Sequence, residues 1–282
     1  MAELASHQSF PLYVTRSGQG YPILCLHGHP GTGRSMGVFT QHLSQRFCTI
    51  APDLRGYGRS RTGQRFQMED HLGDLIGLLN QQADDRAVIL GWSLGGILAM
   101  ELALQYPERV SGLILVATAA RPWSDHPKVS MLDNILTGVA GLINWIKPGW
   151  DWNIATLGQR SLFRYLIQRH HPMAYRYLAR DAVYAYLTTS QPATQALYQA
   201  MGRGYNRVPD LPKIQCPVLM LIGEQDRHIT AASSRETAKA LPNCEWECYD
   251  QTAHLLPWEI PEVLLDRIDR WIADHPELVG LQ

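Results

Sequence analysis

The chain has 282 residues and a mass of 31.8 kDa, with a formal net charge of -1 at pH 7 and a sequence pI of about 6.8. That balance excludes a global field drawing the protein to nucleic acid or to a membrane. With 45% hydrophobic and 18% charged residues, it has apolar material for one α/β domain carrying an insertion, or for two small domains.

Apolar spacing predicts strands and helices in alternation. A strand over 10–16 leads into a Ser-Gly-Gln-Gly turn. Residues 21–26 are a continuous apolar run of strand length, as in a strand covered on both faces, and they end in His27-Gly28-His29-Pro30-Gly31. A helix over 33–45 follows, then a strand over 47–51 ending in Pro52-Asp53-Leu54-Arg55-Gly56-Tyr57-Gly58-Arg59-Ser60. Over 68–82, Met68, Leu72, Leu75, Ile76 and Leu79 share one helix face. A strand over 87–91 runs into Ser93, a helix over 94–106 is stopped by Pro107, and a strand occupies 110–118. From 121 to 209 the pattern turns helical and gains four tryptophans, Trp123, Trp145, Trp150 and Trp152. We read that stretch as a helical cap inserted between core segments 1–120 and 210–282. The core then resumes with a strand over 217–223 ending in Glu224-Gln225-Asp226, a helix over 230–240, a strand over 244–249 ending in Asp250-Gln251-Thr252-Ala253-His254, and a helix over 257–272. The rhythm implies an α/β fold with a mostly parallel central sheet flanked by helices. Ligands of such sheets bind at the carboxyl ends of the strands.

One of those ends carries chemistry. Gly91 and Gly95 lie two residues before and after Ser93, which places a serine on a sharp strand-to-helix turn with its hydroxyl projecting. A serine hydroxyl is a poor nucleophile at neutral pH and needs a base held by an acid. In a sheet of this type the chain order is serine, acid, histidine. His228, His254 and His275 follow a suitable acid; His275 ends the last helix, and His228 is two residues from Asp226 on one loop. His254, after the last strand, is the expected base and Asp226 the expected acid, with Glu224, Asp250 and Asp125 as alternatives. The backbone N–H groups of Leu94 and His29 are the expected oxyanion donors. The His29 side chain lines the pocket or points away, and His27 is expected to hold loop backbone.

Taken together, the segments around His27–Gly31, Asp53–Ser60, Gly91–Gly96, Gly223–Asp226 and Ala253–His254 resemble the α/β-hydrolase superfamily in identity and order. The resemblance implies a Ser93–Asp226–His254 triad that cleaves an ester, thioester or lactone through an acyl-enzyme. Ser93 stands where epoxide hydrolases and haloalkane dehalogenases of this fold carry aspartate, and the turn differs from the Gly-Gly-Ser-Trp-Gly of proline iminopeptidases. Gly-Trp-Ser-Leu-Gly-Gly, followed by Tyr106-Pro107-Glu108-Arg109-Val110, is similar to the esterases that demethylate pimeloyl-carrier-protein methyl ester, although His29 departs from their tryptophan. Two other functions of the fold stay open: a carbon–carbon bond hydrolase, and a slow-turnover ligand receptor using the cap as a partner surface.

The cap carries its own signals. Between 159 and 208, Arg160, Arg164, Arg169, Arg176, Arg180, Arg203 and Arg207 face the single acid Asp181, a net +6. Arg160 with Arg164, and Arg176 with Arg180, share helix faces, a pattern suited to docking an acidic partner such as an acyl carrier protein. Trp92, His29, Trp123 and Trp145 are the expected substrate contacts. The apolar 131–146 stretch is expected to line an acyl pocket or to pack on the sheet.

Five cysteines, an odd number, suggest reduced thiols and a cytoplasmic setting. Cys244 and Cys248 lack further ligands at metal spacing, so no metal and no cofactor is expected. No basic, apolar leader opens the sequence, and 131–152 is broken as a membrane span by Asp133, Asn134, Asn144 and Lys147.

Overall fold

The computed structural model describes residues 9–81 and 85–280. A seven-stranded sheet runs in the order β1-β3-β2-β4-β5-β6-β7. Its strands are β1 (Val14–Ser17), β2 (Pro22–Leu26), β3 (Cys48–Pro52), β4 (Ala87–Trp92), β5 (Val110–Val116), β6 (Val218–Gly223) and β7 (Cys244–Tyr249). Only β1 is antiparallel to its neighbour; every other pairing is parallel. Strands β2, β4, β5 and β6 are buried along their whole length, which explains their unbroken apolar sequences.

Helices α1 (Gly37–Leu43), α2 (Asp70–Leu79) and α3 (Leu94–Gln105) link the first strands. Between β5 and β6 come α4 (Met131–Ile146), α5 (Asp151–Thr156), α6 (Phe163–Leu166), α7 (Pro172–Tyr177), α8 (Val183–Thr188) and α9 (Gln191–Gly202), with a π-helical turn at Leu178–Ala182. Then follow α10 (Ala231–Ala240), α11 (Leu256–Glu259) and α12 (Pro261–Asp274). Two apolar cores lie on opposite faces of the sheet, one including Leu24, Ile89 and Leu113, the other Ile23, Val88 and Ile114. Successive strand residues thus alternate between cores. No helix among the described residues is long and apolar enough to cross a membrane.

Some expected boundaries shift. The first strand is Val14–Ser17 rather than 10–16, and the helix expected over 68–82 is α2, whose expected last residue lies outside the described residues. The closing helix expected over 257–272 is two helices, because Pro261 has no N–H to continue α11 and instead opens α12.

The strand order reverses at β2. The chain steps outward from β2 to β3 and then returns to β4 on the other side, so the loops after β2 and β4 diverge to opposite faces and leave a crevice at their carboxyl ends. Here α3 packs unusually close to the sheet. A Cβ on Gly95 would stand 2.0 Å from the Leu26 carbonyl oxygen, and one on Gly91 would stand 2.3 Å from the Gly95 carbonyl oxygen. Gly95→Ala therefore forces α3 off β2, and is expected to cost roughly 1–3 kcal/mol or more by chemical denaturation. An unchanged denaturation midpoint contradicts this packing.

Candidate active site

Ser93 joins β4 to α3 in a backbone conformation seldom adopted by non-glycine residues, φ 55° and ψ -116°. The turn is held from both sides. The Ser93 N–H donates to the Val116 carbonyl at 2.9 Å, and the Thr118 hydroxyl donates to the Ser93 carbonyl at 2.8 Å. The side chain is almost fully buried at the base of the crevice, 6% exposed.

His254 stands over it from the loop after β7. Its Nε2 is 3.1 Å from Ser93 Oγ, and its Nδ1 is 2.8 Å from Asp226 Oδ2. The second Asp226 oxygen accepts the N–H groups of His228 at 2.8 Å and Ile229 at 2.9 Å. The carboxylate is thereby fixed in rotation, and its free edge faces the imidazole. The alternative acids are engaged elsewhere: Glu224 with Arg235 and Cys248, Asp250 with Gln225, and Asp125 with Arg227.

The loop after β2 closes the other side. A Cβ on Gly28 would lie 3.1 Å from Ser93 Cβ and 3.7 Å from Ser93 Oγ, so this backbone runs directly against the serine. Among the described residues, neither the His29 nor the Leu94 N–H donates to a protein acceptor. The loop is pinned by His27, whose Nδ1 lies 2.8 Å from the Gly28 carbonyl and whose Nε2 accepts the Leu54 N–H at 3.1 Å. Acceptance at Nε2 leaves the ring proton on Nδ1. His29 turns its Nδ1 to the Tyr57 hydroxyl at 2.9 Å, and its ring lies edge-on to Tyr198.

Three residues outside the expected triad and oxyanion donors support His254. Glu259, buried, accepts the Ala253 N–H at 2.9 Å with one oxygen. Its other oxygen accepts the N–H groups of Gln168 at 2.9 Å and Arg169 at 2.7 Å. It therefore ties the His254 loop to the helical insertion. Burial pushes its carboxyl pKa up, against the pull of those three N–H groups. Trp92 donates its indole N–H to the His254 carbonyl at 3.2 Å. His228 stands edge-on to the His254 ring, with centroids 4.6 Å apart. A glutamate in a helix next to a proline carries no sequence mark of burial, so Glu259 was not legible; His228 was visible only as a neighbour of Asp226.

Several expected contacts are placed differently. Trp92 is buried against Trp258 and uses its one donor on the His254 loop, so it is a support rather than a surface for substrate. Trp123 and Trp145 are 69% and 61% exposed, and most apolar side chains of the 131–146 stretch are turned to solvent. The reason is that α4 turns its buried side, with Asp133, Ala140 and Asn144, inward, where Asn144 and neighbouring Asn153 bond backbone carbonyls. Among the docking arginines, Arg164 pairs with Asp133 at 2.7 Å, and Arg180 pairs with the buried Asp181, which Arg34 of the core also reaches. Arg207 pairs with Glu101 of α3. Arg160 and Arg176 have no carboxylate partner among the described residues.

The electrostatics of the crevice favour neutral rings. Burial lowers the pKa of His27 to about 4 and of His71, which packs beside Tyr57 and Phe66, to about 3. An unfolded histidine titrates near 6.5. As pH falls below that value the unfolded chain binds protons that the native chain refuses. Stability is therefore complete above about pH 6.5 and is lost as pH falls towards the folded values, with a slope of up to about 1.4 kcal/mol per pH unit for each ring. Urea titrations at a series of pH values through this range check it. The midpoint should fall with pH, and His71→Phe should flatten that fall.

The comparisons with known proteins agree with this architecture. The family described as alpha/beta hydrolase fold matches residues 21–261. A pimeloyl-[acyl-carrier protein] methyl ester esterase of Vibrio parahaemolyticus is 27% identical over 84% of this chain and 88% of its own length. Another of that name, from Chromobacterium violaceum, is 27% identical over 86% and 91%. A solved thermophilic esterase from Thermogutta terrifontis superposes with a TM-score of 0.70 at 26% identity, covering 93% of each chain. With its family match spanning most of the sequence, and with the strand order and turn described above, the chain belongs to the alpha/beta hydrolase fold family.

Proposed function

We propose that this protein is a serine hydrolase that cleaves a carboxylic ester through an acyl-enzyme on Ser93. The observation that carries the reading is the continuous relay from Ser93 Oγ through both nitrogens of His254 to Asp226. In the first step His254 Nε2 takes the hydroxyl proton while Oγ adds to the ester carbonyl. The negative charge on that oxygen faces the N–H groups of Leu94 and His29, which have no protein acceptor to leave. Asp226, held in place by two backbone N–H groups on one oxygen, turns its other oxygen to the ring and steadies the imidazolium. The imidazolium returns its proton to the departing alcohol, and water then repeats the sequence to release the acid and free Ser93.

The pimeloyl-carrier-protein esterases among the relatives support a carrier-bound acyl ester as the substrate class, with Arg160 and Arg176, which have no carboxylate partner among the described residues, as cations that could meet an acidic carrier. Five cysteines without disulfides agree with a reducing, cytoplasmic setting. The helical insertion 121–209 acts as the cap, tethered to the core at Glu259, Asp181 and Glu101.

Labelling with a fluorophosphonate probe, wild type beside Ser93→Ala, tests the mechanism. Wild type should label and hydrolyse short p-nitrophenyl esters over many turnovers, and Ser93→Ala should do neither, with a loss on the order of 10³-fold or more in kcat. Equal labelling of the two proteins overturns the proposal. A single slow turnover by wild type favours a ligand receptor instead.

A further inference from the structure

Helix α4 is amphipathic in an inverted sense. Its polar and small residues face the protein, while Met131, Leu132, Ile135, Leu142, Trp145 and Ile146 stand in solvent, from 55% to 80% exposed. The inward side is firmly built: Ser130 and Asp133 form a reciprocal N-terminal cap, and Asp133 also receives Arg164. Those bonds from Ser130 and from Arg164 hold the Asp133 carboxyl below its ordinary value, at about 2. The outward apolar face is thus a stable surface of the fold. It is about 24 Å long for 16 residues.

Charge on this face is confined to its ends. Lys128 precedes the helix and Lys147 closes it; both are exposed, and neither has a carboxylate partner among the described residues. Lys147 lies over the Trp150 ring at 4.2 Å. Between the lysines the exposed residues are apolar apart from Ser130, Asn134 and Gly138. A long aliphatic strip ended by cations, with tryptophans at one end, fits a helix lying in the plane of lipid headgroups, its chains in the acyl boundary and its lysines at phosphates. A second copy fits worse. Antiparallel pairing of two such faces sets Lys128 against the partner's Lys147, and parallel pairing sets each lysine against itself.

We infer that the α4 face docks the protein peripherally on an anionic phospholipid surface. The inward side of the same helix is linked to the active site. A run of ring contacts leads from His254 through His228, His126 and Tyr165 to Arg164, which is bonded to Asp133 in the first turn of α4.

Vesicle co-sedimentation of the full chain tests this, with phosphatidylcholine vesicles alone and phosphatidylcholine mixed with phosphatidylglycerol. Wild type and Ser93→Ala should bind the mixed vesicles equally and the neutral ones more weakly. Ile135→Asp/Leu142→Asp should weaken binding tenfold or more, and Lys128→Glu/Lys147→Glu about tenfold or more. Unchanged thermal unfolding shows that each variant is folded; because the two pairs remove different contacts, either one suffices as the test. Three results overturn the inference: no binding to the mixed vesicles, binding by both double variants as tight as wild type, or a dimer in solution that Ile135→Asp/Leu142→Asp dissolves.

Discussion

Everything at this site follows from how closely three backbones approach around one serine. Strand β2, the turn after β4 and the first turn of α3 come together with no room for a side chain at Gly91 or Gly95 and little at Gly28. That proximity sets the backbone at Gly28 against the Ser93 side chain and goes with the unusual φ of 55° at Ser93. The reversal of strand order at β2 makes the approach possible, because it opens the crevice at the carboxyl ends of β2 and β4. The apolar cores on both sheet faces then hold the strands in register against the strain of the turn.

Around that centre the polar bonds form a second framework that joins insertion to core. Glu259 gathers backbone N–H groups from the His254 loop and from the segment between α6 and α7. Asp181, in the π-helical turn, receives Arg180 from its own segment and Arg34 from the core. Glu101 on α3 receives Tyr205 and Arg207 where the insertion ends. A buried carboxylate left without its partners is costly, so each tether favours one placement of the insertion over the site. Positional order at His254 is in this way shared between the sheet and the insertion above it.

The sheet and the serine turn were legible in the sequence because their determinants are local. Continuous apolar runs mark doubly covered strands, and glycines at fixed offsets mark the turn. The geometry of Asp226 and His254 follows from their positions at the ends of β6 and β7, which chain order already specifies. The insertion was less legible because its decisive pairings are distant. The count of arginines between 159 and 208 finds one acid, yet Asp133, Glu101 and Asp210, lying outside that window, engage Arg164 and Arg207. The apolar composition of 131–146 reads as lining a pocket or packing on the sheet, but composition does not give the direction of α4, which is set by Asn144 and Asn153 making bonds to carbonyls of the insertion. A hydrophobic stripe states that something covers it, not whether the cover belongs to the same chain.

The account rests on covalent transfer of an acyl group to Ser93, and intact-protein mass spectrometry tests that most directly. Protein quenched in acid during turnover of a p-nitrophenyl ester should carry one added acyl group, mapping to the peptide that contains Ser93, and the adduct should disappear as substrate is exhausted. Continued turnover with no adduct trapped, or an adduct on any other residue, would contradict it.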